Sequence, residues 1–586
     1  MVDDVPAGLR ISGKENVKES EPRLLVESVI LGVIGALAAQ LFMFALRICD
    51  TIFLIGLAGY HPPGLPEEGG VLKQSIGPHG LWLIPLVTTL GGLISGLLVY
   101  NIAPEAEGHG TDTVVKAFHR AGGFIRARVA PLKLVASAIT IGSGGAAGRE
   151  GPTALIGAGV GAIYATFGHR KDEDRRLLVL MGMAAGLSAI FRSPIGSAFF
   201  AIEVLYGRMD FEAGALLYTM LASVVAYAVN GMFVGWKPLF FFPASQVNPR
   251  IFDYVWFCVL GIASGLIATL LPMVFYRLRD AFRSLPFPAS FNPAIGGLAL
   301  GLIALKFPQV LGGGYGWIQE AIDGRLALQL LLILVFAKIF AFAFTVSSGG
   351  SGGVFAPTLF VGAMLGGFLS SIVHLPAATF VVVGMVAVFG AAARVPIAAL
   401  VMVTEMTGGY GLLPAAAFAV LISYLLQTRL SARLKYKSLY EAQVPTREQS
   451  PARYMESVEL AMRILGTRRL PRSAKVGHLD LVALLDSGVP ITVPGKKELN
   501  VGVLRAESAM VGKTIQAYYE MAGDATLEIV GVLRGGEIIL PSRDIVLQEN
   551  DRVLIIGSAR ARKRIREHLA PIEPATKKHA APHDAR

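Results

Sequence analysis

Apolar residues dominate the chain as far as about residue 430, in runs long enough to cross a bilayer, and polar residues take over beyond it. Spanning segments, which need about 20 apolar residues, are predicted to begin at Leu24, Leu81, Val129, Leu177, Phe211, Ile251, Leu326, Pro376 and Leu413. Most are closed by charges or by Gly and Pro. The run 255–276 is long enough for a tilted span. By contrast, 151–167 and 396–406 are short and open on Gly or Pro, the pattern of helices that start inside the membrane. Past Arg429, the charges of Arg433, Lys435, Lys437, Arg447, Glu448 and Arg453 crowd together, and no later run is long and apolar enough to span. The pattern therefore predicts a polytopic all-α membrane domain over 22–445, preceded by a cytoplasmic tail, 1–21, without a cleavable signal.

Composition agrees. Of 586 residues, 53% are hydrophobic and only 16% charged, against about 25% charged in soluble globular domains, which excludes a purely soluble, disordered or fibrous protein. The net charge of +11 marks cytoplasmic loops and tails rather than nucleic-acid binding, and places both termini in the cytoplasm, most simply of a bacterial inner membrane. Cys49 and Cys258 lie far apart in apolar stretches, so neither a disulfide framework nor a zinc site is expected. The ten histidines lack metal-ligand spacing and no nucleophile–base pairing is visible, so neither an enzyme nor a metal or other cofactor is predicted.

The interrupted segments repeat. Residues 143–161 and 348–366 share nine identities in nineteen positions, among them Gly148/Gly353, Pro152/Pro357, Thr153/Thr358 and Gly157/Gly362. Residues 182–203 and 384–405 share eight in twenty-two, among them Arg192/Arg394, Pro194/Pro396, Ile195/Ile397 and Glu203/Glu405. Two related halves, each with broken helices, are the mark of a transporter or channel whose site lies between the repeats.

The glycines of 142–151 oppose helix formation, and Pro152 suits the first turn of a new helix. Its free N-terminal amides, with the positive end of the helix dipole, form an anion site, and Gly353 to Pro357 supplies the matching end from the second half. Neither run carries the Gly-Lys-Ser/Thr ending of a phosphate loop. Glu150, at the start of such a helix, can compete with the anion when ionised and so act as a gate.

Gly148-Arg149-Glu150-Gly151-Pro152, with Gly353-Val354-Phe355-Ala356-Pro357 and a tyrosine just past the last apolar run, resembles the CLC chloride channel and transporter family. The resemblance implies a homodimer in the lipid bilayer, with one pore per subunit built from inverted halves. It further implies that Gly148, Arg149, Glu150 and Gly151 line an outer site for chloride or another small anion, that Val354, Phe355 and Ala356 line a central one, that Glu150 is the gate, and that Tyr440 donates its hydroxyl to the central anion. Two departures stand out. The family's inner Gly-Ser-Gly-Ile-Pro is replaced by Gly108-His109-Gly110-Thr111-Asp112, which puts His109 and Gly110 at the inner vestibule and removes the serine. In Ile202-Glu203-Val204, Glu203 matches the first acid of the exchangers' pair and Val204 replaces the proton acceptor. A proton path needs ionisable stations, so this favours a channel or uncoupled pathway, with proton-coupled chloride exchange as the alternative and a ligand sensor read through the tail as a second.

The tail reads as a small cytoplasmic α/β domain over 496–570, with strands at 526–533, 537–540 and 552–557 around a Gly535-Gly536 turn. Val511-Gly512-Lys513-Thr514-Ile515 and Asp551 to Gly557 are similar to the TrkA-C domain, which implies a dimerising regulatory module with a small ligand of unknown identity. Residues 446–495 read as a linker, helical over 457–465, and 571–586 as a basic tail.

Overall fold

A computed structural model describes residues 13–243 and 250–452. Beyond these it describes 475–476, 479–480, 491–493, 497–503, 510–517, 528–534, 537–539, 544–557 and 570–571. The chain divides into two compact units, Met1–Ser450 and Pro451–Arg586.

The first unit is helical, and among the described residues seven of its helices are long and apolar enough to cross a membrane. Every predicted starting point falls in or within a few residues of a helix, from Gly13–Asp50 through Asp253–Arg283 to Leu413–Ser431. Bulky apolar side chains such as Phe44, Leu217, Val255 and Leu421 face outward, a surface that suits hydrocarbon and not water. The protein is an integral multi-pass membrane protein. Among the helices not anticipated from the pattern are Thr111–Arg120, Asn292–Ala304 and Tyr315–Ile322. They are short, and two of them are led by glycine or proline punctuation that reads as loop.

Between the outer helices lies a tightly packed interior in which Glu150–Phe167 packs against Asp172–Phe191 and Phe355–Val373 against Ala377–Ala392. Glycines set the approach: Gly157 and Gly182 face each other backbone to backbone, and Gly362 and Gly384 repeat the arrangement in the second half. The repeat read from identities is thus also a repeat of packing.

Its inversion follows from a reciprocal cap. Glu203, at the C-terminal end of helix Pro194–Glu203, accepts hydrogen bonds from the amides of Ile397 (3.2 Å) and Ala398 (2.7 Å), at the N-terminus of Pro396–Thr407. Glu405, near the other end of that second helix, accepts from the amides of Ile195 (3.2 Å) and Gly196 (2.9 Å) and from Ser193 Oγ (2.6 Å). Each helix's tail carboxylate reaches the other's head, so the two run antiparallel, and orphan N–H groups that no water could satisfy are paired.

Residues 444–450 belong to this unit. Gly207 N donates to Val444 O (2.7 Å), Arg447 pairs with Glu212, and Ser450 Oγ meets His119 Nδ1 at 2.7 Å. In the second unit, Lys497–Val503 and Glu528–Arg534 flank Arg552–Gly557 in an antiparallel sheet, and Glu528–Arg534 also pairs with Glu537–Ile539. The three strands anticipated there are present. Ile491–Val493 adds to the same sheet, so pairing starts before residue 496. The expected helix at 457–465, the Gly535-Gly536 turn and most of 571–586 lie outside the described residues.

Candidate functional site

The two glycine-rich breaks meet. Gly148 N donates to Gly353 O (2.8 Å) and Gly353 N to Gly148 O (2.6 Å), a single antiparallel bridge between positions that the sequence repeat equates. Glycine is required here because backbone faces backbone: a Cβ on Gly353 would come within 2.7 Å of Gly151 N and 2.9 Å of Gly148 O. From this crossing the helices Glu150–Phe167 and Phe355–Val373 lead away, so both N-termini are at the crossing with their first amides and dipole ends directed towards it.

A cavity of about 10 Å³, room for about one water-sized species, is lined there by Thr111, Glu150, Gly151, Val354, Phe355 and Tyr440, with Leu187, Phe191 and Phe200 closing its apolar side. The structure thus brings together residues that lie up to 329 positions apart. Both Glu150 carboxylate oxygens are buried without a hydrogen-bond partner of normal geometry. The carboxylate lies against Gly148 and the amide of Ala356, which a Cβ on Gly148 would approach to 3.0 Å. It therefore occupies the mouth of the anion-binding arrangement that the two helix ends create.

Tyr440 is buried. Its segment is held by Leu439 N to Ala392 O (2.9 Å) and by Tyr276 Oη to Leu439 O (2.9 Å). Thr111 is its side-chain hydrogen-bond partner. A hydroxyl is therefore present beside Tyr440 even though the serine is missing, a residue that reasoning from the serine position alone passed over. His109 stands edge-on to the Tyr440 ring, centroids 5.4 Å apart, and its Nε2 lies 3.3 Å from Asp112 Oδ2. Gly110 takes φ +84°, with the Lys133 side chain packed beneath it.

Arg149 does not line this cavity. Its guanidinium forks onto Glu68 (2.6 and 3.1 Å) and stacks 4.6 Å over the Tyr315 ring, on the wall of a second cavity of about 530 Å³ that also includes Asp50, His61 and Trp317. Burial pushes the Glu68 carboxyl up, but Arg149, Arg192 and Arg47 together outweigh it and hold Glu68 below the usual carboxylate range. The pair's stabilisation is accordingly present at neutral pH and is lost as pH falls through that lowered value. The melting temperatures of wild type and Glu68→Gln are expected to differ at pH 7 and to converge on acidification.

Neither Glu203 nor Val204 lines the cavity. Glu203 is occupied as a helix cap, and Val204 is fully buried in the apolar core. Glu203→Ala leaves the buried amide of Ala398 unpaired, at about 1–3 kcal/mol, and with it the half-buried amide of Ile397, so a clear loss of stability to unfolding in detergent is expected.

Two lysines were also overlooked. Lys133 donates to Ala106 O (2.9 Å) and Gly108 O (2.5 Å), and Lys338 to Val310 O (2.8 Å) and Gly312 O (2.7 Å). Both are fully buried and related by the repeat. A lysine inside an apolar run is a signal legible in sequence. The pair ties down the loops before the helices at Thr111 and Tyr315.

A family profile described as voltage gated chloride channel matches residues 91–428. The chain belongs to that family. The profile lies wholly inside the helical unit, and a TrkA-C domain profile matches residues 503–570 of the second. Among curated relatives, the H(+)/Cl(-) exchange transporter ClcA of Salmonella agona (strain SL483) is 31% identical over 388 residues, covering 63% of this chain and 80% of the relative. Among solved structures, a slow cyanobacterial Cl-/H+ antiporter superposes with a TM-score of 0.62 at 22% identity, covering 70% of this chain and 96% of its own. A CLC-type fluoride/proton antiporter gives 0.60 at 23%, covering 72% and 98%. These structural likenesses establish the CLC fold.

Proposed function

We propose that this protein is not an enzyme but a membrane transporter that exchanges chloride for protons, with Glu150 as the group that alternately blocks the anion path and carries the proton. The observation that supports this most directly is the Glu150 carboxylate buried where two helix N-termini and the Tyr440–Thr111 pair enclose one cavity. A chloride ion in that cavity would accept from the helix-end amides and the tyrosine hydroxyl, which bind an anion without a full opposite charge and so allow it to leave. The carboxylate and the anion compete for the same amides. Protonation would remove the competition.

The curated relatives named as exchange transporters favour this reading over the channel that Val204 led us to expect. Val204 still favours uncoupled conduction as a second reading, because a valine offers no proton station. Reconstituted into liposomes with a chloride gradient, the protein is expected to move protons against their own gradient. Chloride flux that ignores the proton gradient would support the second reading. On the exchange reading Glu203→Gln, which keeps a cap acceptor, retains proton flux, because Glu203 serves the fold and not the proton path.

We read the protein as a homodimer in a bacterial inner membrane with both termini in the cytoplasm, and the TrkA-C domain as a regulatory module there. Removing the second unit is expected to leave basal exchange in place and to abolish any response to a cytoplasmic ligand.

A further inference from the structure

The exchange reading leaves a gap on the inner side, because Val204 cannot hold a proton and Glu203 is tied up as a cap. We infer that His109, oriented by Asp112, is the station through which protons pass between the cytoplasmic water and Glu150; this rests on the exchange reading itself.

His109 has the placement such a station needs. Its side chain is 7% exposed, whereas that of Asp112 is 15% exposed, so the pair runs from the partly open face of its helix inwards to Tyr440. With Nε2 directed at Asp112, the second ring nitrogen, Nδ1, is buried and has no hydrogen-bond partner. A buried imidazole nitrogen with nothing to bond is costly to leave unmet and is free to accept a proton. Tyr440, against which the ring packs, lines the cavity that holds Glu150.

The surrounding groups are consistent with a site that both gains and loses a proton. Asp112, whose Oδ1 accepts from Ala442 N at 3.1 Å, supplies the balancing negative charge. Lys133, from helix Val129–Gly142, bonds the carbonyl of the adjacent Gly108 and opposes a second positive charge. Phe275, from Asp253–Arg283, presents only an aromatic ring, 6.4 Å away, while its neighbour Tyr276 and Lys116 act on Asp112. Tyr440 presents a phenol. The ring thus has one carboxylate directly against it, while Lys133 and Lys116 are engaged elsewhere.

The step balances simply. A proton from the cytoplasmic water reaches the ring through water admitted to the pore: the O–H bond of that water in its protonated form breaks as the Nδ1–H bond forms, and Asp112 neutralises the imidazolium. In delivery the Nδ1–H bond breaks and an O–H bond forms on Glu150 through water in the pore, returning the neutral ring. Asp112 is a positioning residue that fixes the tautomer and the charge.

The test is simultaneous chloride and proton flux from liposomes for wild type, His109→Ala, His109→Ser and Asp112→Asn across a range of inner pH. Proton flux in both His109 variants is expected to fall about tenfold or more while chloride flux continues. Asp112→Asn, which keeps the acceptor for Ala442, is expected to shift the inner pH of half-maximal proton flux downward, because the imidazolium has lost its counter-charge. Wild type that moves no protons would overturn the exchange reading and this one with it. Proton flux at the wild-type level in a chloride-conducting His109 variant, or an unmoved midpoint in Asp112→Asn, would overturn the relay and leave exchange standing.

Discussion

Glu150→Gln is expected to abolish proton movement while chloride continues to cross the membrane. Glutamine has nearly the same shape, so the crossing of the two helix ends should survive, but it has no proton to release and no charge with which to compete for the amides. Both glutamate oxygens are buried and unmatched. The ionised form is thus held by the helix ends and dipoles, an interaction of about 0.3–2 kcal/mol per end, and stays poised against desolvation. Proton flux should drop to the level of empty liposomes, and chloride flux should lose its dependence on outer pH. Paired chloride-electrode and pH-electrode recordings check both at once, and persistent proton flux in Glu150→Gln would remove Glu150 from the proton path.

The second large effect is structural. Gly353→Ala is expected to lower stability by about 1–3 kcal/mol, the usual cost of forcing extra atoms into a packed interior, and to cut chloride flux severely. Its new methyl would meet Gly151 N and Gly148 O, two backbone atoms at the bridge where the glycine-rich breaks of the two halves hydrogen-bond to each other. Neither can swing aside as a side chain would. Relief requires moving a helix N-terminus, and with it the amides proposed to bind the anion. Gly207→Ala is the matched control, because its Cβ would meet nothing nearer than 3.8 Å. Unfolding in detergent and liposome flux on the same preparations separate a lost fold from a distorted site.

Local chemistry carried much of this protein into its sequence. Runs of apolar residues with charged ends are enough to mark spans, because lipid cannot satisfy polar side chains or unpaired backbone. Gly148 and Gly353, with a proline four residues on in each half, announced helix breaks for the equally local reason that glycine frees the backbone at an entropic cost to the helix and proline fixes it and removes a donor. The two-part organisation, the repeat, Glu150 and the glycine-led start of the second helix at Phe355 were therefore legible from order and spacing, whereas Tyr440 was reached only through the family resemblance. The short helices Thr111–Arg120 and Tyr315–Ile322 were not, since neither is long enough to establish a hydrophobic period.

What only the tertiary structure decided was partnership. Glu203 looked like half of a proton-handling pair, and the fold makes it the cap of a helix 194 residues away. Arg149 was expected from the resemblance to line the outer anion site, and the fold turns its guanidinium onto Glu68. His109 looked like a lost serine, and the fold sets it between Asp112 and Tyr440 while bringing in Thr111 as the missing hydroxyl. The sequence alone determined which residues are chemically able to act and where the backbone must break, since those follow from each residue and its neighbours. Which of them face one another depends on the inverted packing of two halves about 200 residues apart, a long-range arrangement that no local rule contains.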